Sequence, residues 1–396
     1  MAIRKTDAGR WRAYWRSPAG RQESKTFPTK REASIFLAQM KTSTAARTYV
    51  SPHAGRMPFG VHARQWMASW NTEATTSARD ASVMRNHVLK QWEAWPLGKI
   101  DHLAVQTWIS GLSPRLSPAT VGECRRLMSG VMRSAVRNRL IAYNPCEDIR
   151  VPKRRKQDHD EQVIERSTFR SKLLPAVPNR YRGLVAVAGG AGLRWGEAAG
   201  LCADAVDLDA GRLRVIRTVV EVAGHTSFKG YPKSAAGRRS VPLPEWLIEI
   251  LRTHTERYGY GEADLLFGNE VGAAHRRTNF RARVWRPSLV RAGLLGAVTR
   301  DGDRWVASWT GDDGRPARAA MDSEGAAVAE VARLQTGGLR YHDLRHSYAT
   351  WLVDDGVPPN MVQRVMGHER ASTTLDLYTR RTDDAERILR ALDDTP

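Results

Sequence analysis

The residues best suited to chemistry lie close together near the end of the chain, within residues 340–380. His342 and Arg345 are three positions apart, so on one helical turn both side chains face a common point. His368 follows a glycine between two predicted helices, and Tyr378 comes ten residues later. Guanidinium and imidazole groups suit an oxyanion such as phosphate, and a deprotonated tyrosine is a nucleophile. The pattern indicates nucleophilic attack at an anionic centre.

Two further cationic residues lie upstream of this stretch. Arg194 stands in the run GLRWGE at 192–197, at a predicted junction between a loop and a helix. Lys233 lies near a predicted hairpin bend, and Lys229 is an alternative lysine four residues away. Both positions could add positive charge to the same anionic centre.

Other kinds of chemical site find little support. The run GGAGLRWG at 189–196 has its glycines one residue out of step with a dinucleotide-binding G-x-G-x-x-G, and no phosphate-binding G-x-x-x-x-G-K-[ST] loop occurs. The acid pairs at 312–313 and 383–384 fit turns and helix starts better than a metal site. We therefore expect no cofactor, no metal and no nucleotide hydrolysis.

The charge of the chain points to a polyanionic partner. Its 396 residues carry 62 basic and 42 acidic side chains, a formal charge of +20. The excess is concentrated at the front, where residues 1–56 hold 12 basic and 3 acidic residues and residues 57–160 hold 16 and 9. Nucleic acid is therefore the leading partner.

The sequence shows no signal for export or membrane insertion. No apolar run approaches the roughly 20 residues that span a bilayer, and a Trp/Arg-rich stretch stands where a signal peptide would be apolar. Three widely spaced cysteines argue against a disulfide framework or a structural zinc site. We expect a cytoplasmic protein.

The first 40 residues predict a small sheet backed by one helix. Residues 10–27 alternate basic and aromatic residues around a turn, which indicates a hairpin running into a third strand, and Thr29 should cap a helix over 30–40. One strand face is cationic and free to contact DNA. We expect these DNA contacts from Arg10, Arg12, Tyr14 and Arg16.

A linker over 48–60 precedes a helical region. The clearest helix starts at Ser117, with Pro118 at its first position, and carries apolar residues on one face. Arginines on its other face, and a basic linker at 151–156, should contact DNA. The residues concerned are Arg125, Arg126, Arg133, Arg137, Lys153, Arg154 and Arg155. Beyond residue 160, an apolar helix over 181–191, a strand pair over 213–222 and 228–241 and further helices predict an α+β domain.

The chain also contains an internal repeat. Residues 7–40 superpose without a gap on residues 301–334 and share nine identities, including two tryptophans. The first copy has seven basic and three acidic residues, whereas the second has four and seven. A common fold with different ligands is expected.

These motifs together resemble the tyrosine recombinase family, and in particular phage integrases with an N-terminal arm-binding domain. The resemblance covers nearly the whole chain except residues 296–338. It implies that Arg194, Lys233, His342, Arg345 and His368 surround the nucleophile Tyr378, with Glu197 as a support. Lys233 is favoured over Lys229 because the run RSVPL at 239–243 follows at the distance usual in the family.

The resemblance also implies a multidomain α+β architecture. It assigns residues 1–56 to a three-stranded arm-type DNA-binding domain, 57–158 to a helical core-binding domain and 159–396 to a mixed, mainly α catalytic domain. Residues 296–338 are then an insert, which we interpret as a degenerate arm-type copy without DNA binding that contacts a neighbouring subunit. The two main domains are expected to clamp a duplex between them.

The implied activity is site-specific integration through a covalent 3′-phosphotyrosine, without metal or ATP. Attachment-site DNA, a homotetramer, a host DNA-bending protein and an excisionase are the implied partners. Related alternatives are a resolvase or invertase, which in simple forms lacks an arm domain, and a topoisomerase, which needs no particular site. The alternative from another class is a non-cleaving architectural DNA-binding protein with vestigial catalytic residues.

Overall fold

The computed structural model describes residues 1–18, 20–46, 49–51, 53–152, 162–229, 238–259, 261 and 264–367. The chain divides into two compact units, Met1–Lys156 and Gln157–Pro396. The described residues are mainly helical, and their strands form small antiparallel sheets. The predicted multidomain α+β class is confirmed.

A small sheet covered by one helix begins the first unit. Strands β1 (Ala2–Lys5), β2 (Trp11–Arg16) and β3 (Gln22–Phe27) pair antiparallel, with β2 in the centre. Helix α1 (Lys30–Ala45) follows, and the Thr29 hydroxyl caps it by accepting a hydrogen bond from the Glu32 amide. The core between sheet and helix comprises Ala13, Trp15, Ala33, Leu37 and Tyr49.

This sheet departs from the sequence prediction in two details. The third strand precedes the hairpin instead of following it, because residues 2–5 pair with β2. Helix α1 runs five residues beyond Met40, since Thr42 and Thr44 donate their hydroxyls to helix carbonyls without breaking the helix.

The rest of the first unit is a helical cluster. It contains α2 (Phe59–Ala68), α3 (Ala74–Val83), a π-helical turn (Met84–Val88), α4 (Leu89–Trp92), α5 (His102–Leu112) and α6 (Pro118–Arg137). The helix predicted from Ser117 is confirmed, and the Ser117 hydroxyl accepts from the Thr120 amide. The preceding linker ends at Pro58, not at Gly60, because Phe59 and Gly60 are buried in α2.

The second unit begins with helices that bury its largest core. They are α7 (Arg166–Thr168), a π-helical turn (Phe169–Leu173), α8 (Leu174–Ala176), α9 (Asn179–Gly190) and α10 (Trp195–Ala199). Every residue from Gly183 to Gly190 is buried. The apolar helix predicted over 181–191 corresponds to α9.

Five short strands and a helix follow. They are β4 (Val206–Asp207), β5 (Arg212–Val215), β6 (Thr218–Val222), β7 (His225–Lys229), β8 (Arg239–Pro242) and α11 (Glu245–Tyr258). The prediction of a single strand pair is wrong here. The chain leaves one sheet after Val215, which pairs with Arg239, and enters another at Thr218, which pairs with Lys229.

The final described elements surround the predicted insert. Helix α12 (Arg277–Phe280), a π-helical turn (Arg281–Trp285) and α13 (Arg286–Arg291) precede β9 (Ala297–Asp301), β10 (Arg304–Thr310), β11 (Pro316–Met321) and α14 (Glu324–Leu334). Then come α15 (Tyr341–Asp354) and α16 (Pro359–Met366). The Trp285 indole donates to the Leu339 carbonyl at 2.8 Å, and Arg286 donates to three carbonyls after and within α14.

The insert repeats the strand order and helix of the N-terminal sheet. Trp11 pairs with Phe27 and Trp305 with Met321, so β2 and β3 superpose on β10 and β11 in the same register. The first strand differs by one residue, since Trp11 pairs with Lys5 but Trp305 pairs with Arg300. The turn before the central strand is therefore one residue longer in the first copy.

Candidate active site

Arg194 lies where a turn passes into helix α10. It is the residue before the first helical position, and Glu197 accepts hydrogen bonds from both the Arg194 amide and its Nη1, each at 2.9 Å. The turn needs Gly192, whose φ is +63° and whose added Cβ would lie 2.5 Å from the Tyr348 ring. The GLRWGE run thus fixes both the direction of the helix and the Arg194 side chain.

Arg345 projects from α15 into the protein interior, where its side chain is only 3% exposed. The start of α15 is held by Asp343, which accepts from the Arg340 amide at 2.7 Å. The Arg345 guanidinium donates to the carbonyls of Gly192 and Met366. It therefore bonds the turn that precedes Arg194.

Glu197 lies at the centre of three arginines. Arg239 on β8 donates to both carboxylate oxygens, at 3.1 and 2.8 Å, and Arg345 Nη1 is 3.9 Å from Oε2. With Arg194, the carboxylate thus contacts guanidinium groups from three separate elements. We call Arg194, Glu197, Arg239 and Arg345 the arginine cluster.

The same three arginines bind consecutive carbonyls at the end of α16. Arg239 donates to Val365 at 2.7 Å, Arg345 to Met366, and Arg194 to Gly367 at 3.4 Å. The last carbonyls of a helix lack partners within the helix and carry its negative dipole end. The cluster therefore presents its donors at one place, immediately before residue 368.

Burial and pairing set the charges in the cluster. Burial would raise the pKa of the Glu197 carboxyl, but the hydrogen bonds and charge of Arg239, with the charges of Arg345 and Arg194, lower it to about 2. Burial and the positive charge of Arg194 lower the pKa of Arg345 to about 9. At neutral pH the carboxylate is ionised and all three guanidiniums are charged, which leaves the cluster net positive.

His342 stands on the first turn of α15, beside the cluster. Desolvation, followed by the positive charges of His346, Arg345 and Arg194, lowers its pKa to about 4. Its ring meets the His346 ring edge to face, with centroids 4.9 Å apart. Part of the side chain reaches the surface, but the imidazole is neutral at pH 7. A neutral imidazole is able to accept a proton.

The structure thus brings together four of the residues singled out from the sequence. Arg194 and Arg345 each contact Glu197, and the positive charges of both arginines lower the pKa of His342. Lys233, His368 and Tyr378 lie outside the described residues. The alternative Lys229 ends β7.

Arg239 is a member of the cluster that the sequence did not reveal. In the sequence it served only to locate the lysine, because an isolated arginine in a strand is ordinarily exposed. Here its side chain is 3% exposed. The sequence signal was its position in the RSVPL run, whose first four residues form β8 with alternate residues buried.

The predicted DNA-contacting residues fall into different environments. Arg10, Arg12 and Arg16 are exposed, and Tyr14 lies on the same outer face of the N-terminal sheet. On α6, Arg133 and Arg137 are exposed, whereas Arg126 binds Asp80 and Glu123 and Arg125 is partly buried against Cys146. Arg126 remains half exposed despite these ion pairs, so its contact with DNA stays a prediction. Lys153, Arg154 and Arg155 lie outside the described residues.

Within the described ranges, no group of three or more His, Cys, Asp or Glu side chains is arranged to hold a metal ion. The helices among those residues include none that is both long and apolar enough to cross a membrane.

Comparisons with known proteins agree with the fold and the motif. A family model described as the phage integrase family matches residues 318–385. A prophage phiRv2 integrase of Mycobacterium tuberculosis is 28% identical over 388 residues, which cover 94% of this chain and 89% of that protein. A XerC-like tyrosine recombinase of Caldanaerobacter subterraneus is 24% identical and covers 66% of this chain and 62% of its own length.

Solved structures share the fold. A Tn1549 transposon integrase in complex with circular intermediate DNA has a TM-score of 0.59 at 17% identity and covers 85% of this chain and 99% of its own. A lambda integrase tetramer bound to a Holliday junction has a TM-score of 0.51 at 15% identity and covers 93% and 96%.

Fold, motif and relatives define an enzyme that transfers DNA strands. Together these findings support a tyrosine recombinase, in particular a site-specific integrase of the phage type.

Proposed function

We propose that this integrase cleaves and rejoins DNA through a covalent 3′-phosphotyrosine at Tyr378. The observation that supports this most strongly is the arginine cluster, in which Glu197 holds Arg194 and Arg345 together. Attack on a phosphodiester concentrates negative charge on two non-bridging oxygens, and forked guanidiniums stabilise that charge through paired hydrogen bonds. Phosphate oxygens would take over donors that now bind carbonyls at the end of α16.

Proton transfer is assigned to the remaining site residues. The neutral His342 accepts or relays the proton of the Tyr378 hydroxyl, whose ordinary pKa is about 10. Lys233 protonates the departing 5′ oxygen, and His368 donates to a phosphate oxygen. The phosphotyrosine conserves the energy of the broken bond for religation, so that neither a metal ion nor ATP is required.

DNA binding involves both the front and the middle of the chain. The arm domain, over 1–56, uses the outer sheet face with Arg10, Arg12, Tyr14 and Arg16. The core-binding domain, over 57–158, contributes Arg125, Arg133 and Arg137 of α6 together with Lys153, Arg154 and Arg155. Arg126, which also pairs with Asp80 and Glu123, is included in this proposed contact. The catalytic domain occupies 159–396.

The assembly on DNA is proposed from the relatives. A lambda integrase tetramer binds a Holliday junction, and a tetramer would equally bring two attachment sites together here. A host DNA-bending protein and an excisionase would control the direction of the reaction. The site of action is the bacterial cytoplasm, at the nucleoid.

The insert over 296–338 is proposed to be an arm-type copy that no longer binds DNA. Its outer sheet positions carry Val306, Ser308 and Thr310 where the first copy carries Arg12, Tyr14 and Arg16. The face still carries Arg304, which pairs with Asp322, and Arg318 opposite Ser308, but it has lost the charges of Arg12 and Arg16 that would neutralise phosphates. A contact with a neighbouring subunit is the role that remains for it.

The covalent adduct provides the test of this function. A duplex that spans an end of the element, nicked beside the cleavage point so that the released fragment diffuses away, is incubated with protein and a metal chelator but no nucleotide. We expect an adduct that survives denaturing electrophoresis, and we expect Tyr378→Phe to abolish it while still binding the duplex. Binding without any adduct would favour the architectural alternative.

A further inference from the structure

The geometry assigns Arg239 as a positioning residue that holds Arg194 and Arg345 in register through Glu197 and fixes the end of α16. The assignment rests on the proposed strand cleavage, but it concerns a residue that the mechanism above does not use. Arg239 is not expected to touch the phosphate.

Three guanidinium hydrogen bonds of Arg239 are directed toward the cluster and the end of α16. Its Nη1 and Nη2 donate to the two oxygens of Glu197, at 3.1 and 2.8 Å, and its Nε donates to the Val365 carbonyl at 2.7 Å. A guanidinium that binds a carboxylate with two parallel hydrogen bonds fixes the plane of that carboxylate. Arg239 thereby sets the orientation of the group that orients Arg194.

Burial separates the role of Arg239 from that of Arg194. Arg345 is as buried as Arg239 but has different partners, since it donates to the Gly192 and Met366 carbonyls and not to both oxygens of Glu197. The side chains of Arg239 and Glu197 are 3% and 5% exposed, whereas that of Arg194 is 41% exposed and accessible to a ligand. Arg239 therefore supplies hydrogen bonds and charge from behind the carboxylate.

Charge balance gives a second reason for a third arginine. A lone carboxylate between Arg194 and Arg345 would neutralise much of the charge available to a phosphate. Arg239 raises the formal charge of the cluster from +1 to +2 while it hydrogen-bonds both oxygens of Glu197. Loss of Arg239 should weaken both the alignment and the charge of the pair.

The position of Arg239 connects three parts of the site. It begins β8, where it pairs with Val215 of β5, and it bonds the last turn of α16 as well as α10. Without Arg239, one of these elements could shift while the others stayed in place. Displacement of about 1 Å in a catalytic group is enough to slow a reaction about a hundredfold.

The test compares single-turnover cleavage with duplex binding in the full chain, using the nicked duplex described above. For Arg239→Met we expect cleavage about a hundredfold slower, with the dissociation constant for the duplex within about threefold of wild type. Arg239→Lys keeps the charge but not the paired hydrogen bonds. We expect it to cleave about tenfold faster than Arg239→Met and about tenfold slower than wild type.

A pH profile separates positioning from a general loss of structure. In Arg239→Met the pKa of the Glu197 carboxyl should rise, because Arg239 is the main partner that lowers it, while Arg194, Arg345 and Tyr341 still face it. Cleavage by the variant should then fall as the pH drops from 7 to 5, over a range in which the wild type is unaffected by Glu197.

Arg286→Met is the matched control, since it removes another buried guanidinium of the same unit that binds only main-chain carbonyls. We expect its cleavage rate per folded molecule to stay within about threefold of wild type. Equal rates for Arg239→Met and Arg286→Met, or a parallel loss of binding and cleavage in Arg239→Met, would overturn the assignment. If Arg239→Met does not fold, Arg239→Lys provides the test. A wild-type cleavage rate and pH profile in Arg239→Lys would refute the assignment of Arg239 as a positioning residue. An absent wild-type adduct would instead refute the proposed function itself.

Discussion

At the scale of single residues, the site is organised around one buried carboxylate. A buried charge is stable only when it is paired and hydrogen-bonded, and Glu197 accepts four hydrogen bonds from Arg194 and Arg239. Glu197 in turn stabilises the arginines, because the three neighbouring guanidiniums would repel one another without its negative charge. Glu197 therefore couples the stability of the unit to the geometry of the site.

Glu197→Gln should destabilise the protein by about 3 kcal/mol, because three arginines would lose their shared counter-ion. The folded-state pKa of Glu197 lies at about 2, below the ordinary value of about 4.3, so its stabilisation is complete above pH 4.3 and lost as the pH falls toward 2. Urea unfolding at pH 7 and at pH 3 measures both effects.

The control for this prediction is Glu330→Gln, which breaks the exposed pair with Arg333 and should cost no more than about 0.5 kcal/mol. Equal destabilisation in the two variants would contradict the role given to Glu197. So would an unchanged difference between the Gln variant and wild type at pH 3.

The sequence identified part of this site and not the rest. His342 and Arg345 were predictable because they lie three positions apart on one helix, and Arg194 and Glu197 because they share a helix start. Arg239 was not, since its burial depends on α10 and α16, which lie 42 and 126 residues away along the chain. The spacing of residues in the sequence likewise could not predict that Arg345 is buried against main-chain carbonyls.

At the scale of elements, turns and helix ends carry the site. Arg194 begins α10, His342 and Arg345 lie on the first turns of α15, and the carbonyls that the arginines bind end α16. Helices were predictable from their caps and apolar spacing, as for α6 and Ser117. The strands over 212–242 were not, because the change of partner sheet after Val215 depends on distant pairing.

Gly192→Ala should destabilise the folded protein more than Gly302→Ala, although the two glycines have similar backbone conformations. Both Gly192 and Gly302 have positive φ, at +63° and +57°, but an added Cβ meets the Tyr348 ring at the first and nothing within 4 Å at the second. We expect Gly302→Ala to cost about 1 kcal/mol and Gly192→Ala about 2 kcal/mol more.

Thermal unfolding and single-turnover cleavage of both glycine variants test this expectation. Gly192→Ala should also lose cleavage, since its turn positions Arg194 and its carbonyl binds Arg345. Identical stabilities for the two variants would show that contact with Tyr348 does not constrain the turn.

At the scale of the whole molecule, one small fold occurs twice with different surfaces. Ala13 and Ala307, and likewise Ala33 and Ala327, are fully buried at equivalent positions, so the core pattern is shared. The repeat was predictable from identities in the sequence because those identities include core residues. The one-residue change in the first turn was not, and it places Asp7 in a turn while Asp301 ends a strand.

The two copies should differ in their effect on DNA binding. Neutralising Arg12 and Arg16 together, as Arg12→Gln with Arg16→Gln, should weaken duplex binding and reduce its dependence on log salt by about two units of slope. The matched double variant in the insert, Arg304→Gln with Arg318→Gln, should leave the slope unchanged. Titration of a duplex by the full chain at several salt concentrations measures both. A comparable loss of slope in the insert variant would mean that the second copy still binds DNA.

The most direct measurement of the whole account is the chemical identity of the protein–DNA linkage. The adduct formed on the nicked duplex is digested with protease and nuclease, and the peptide that retains nucleotide is sequenced by mass spectrometry. We predict a phosphate that joins the Tyr378 oxygen to a 3′ carbon, with a free 5′ hydroxyl on the released strand. Attachment at a different residue, or through a 5′ phosphate, would contradict the account.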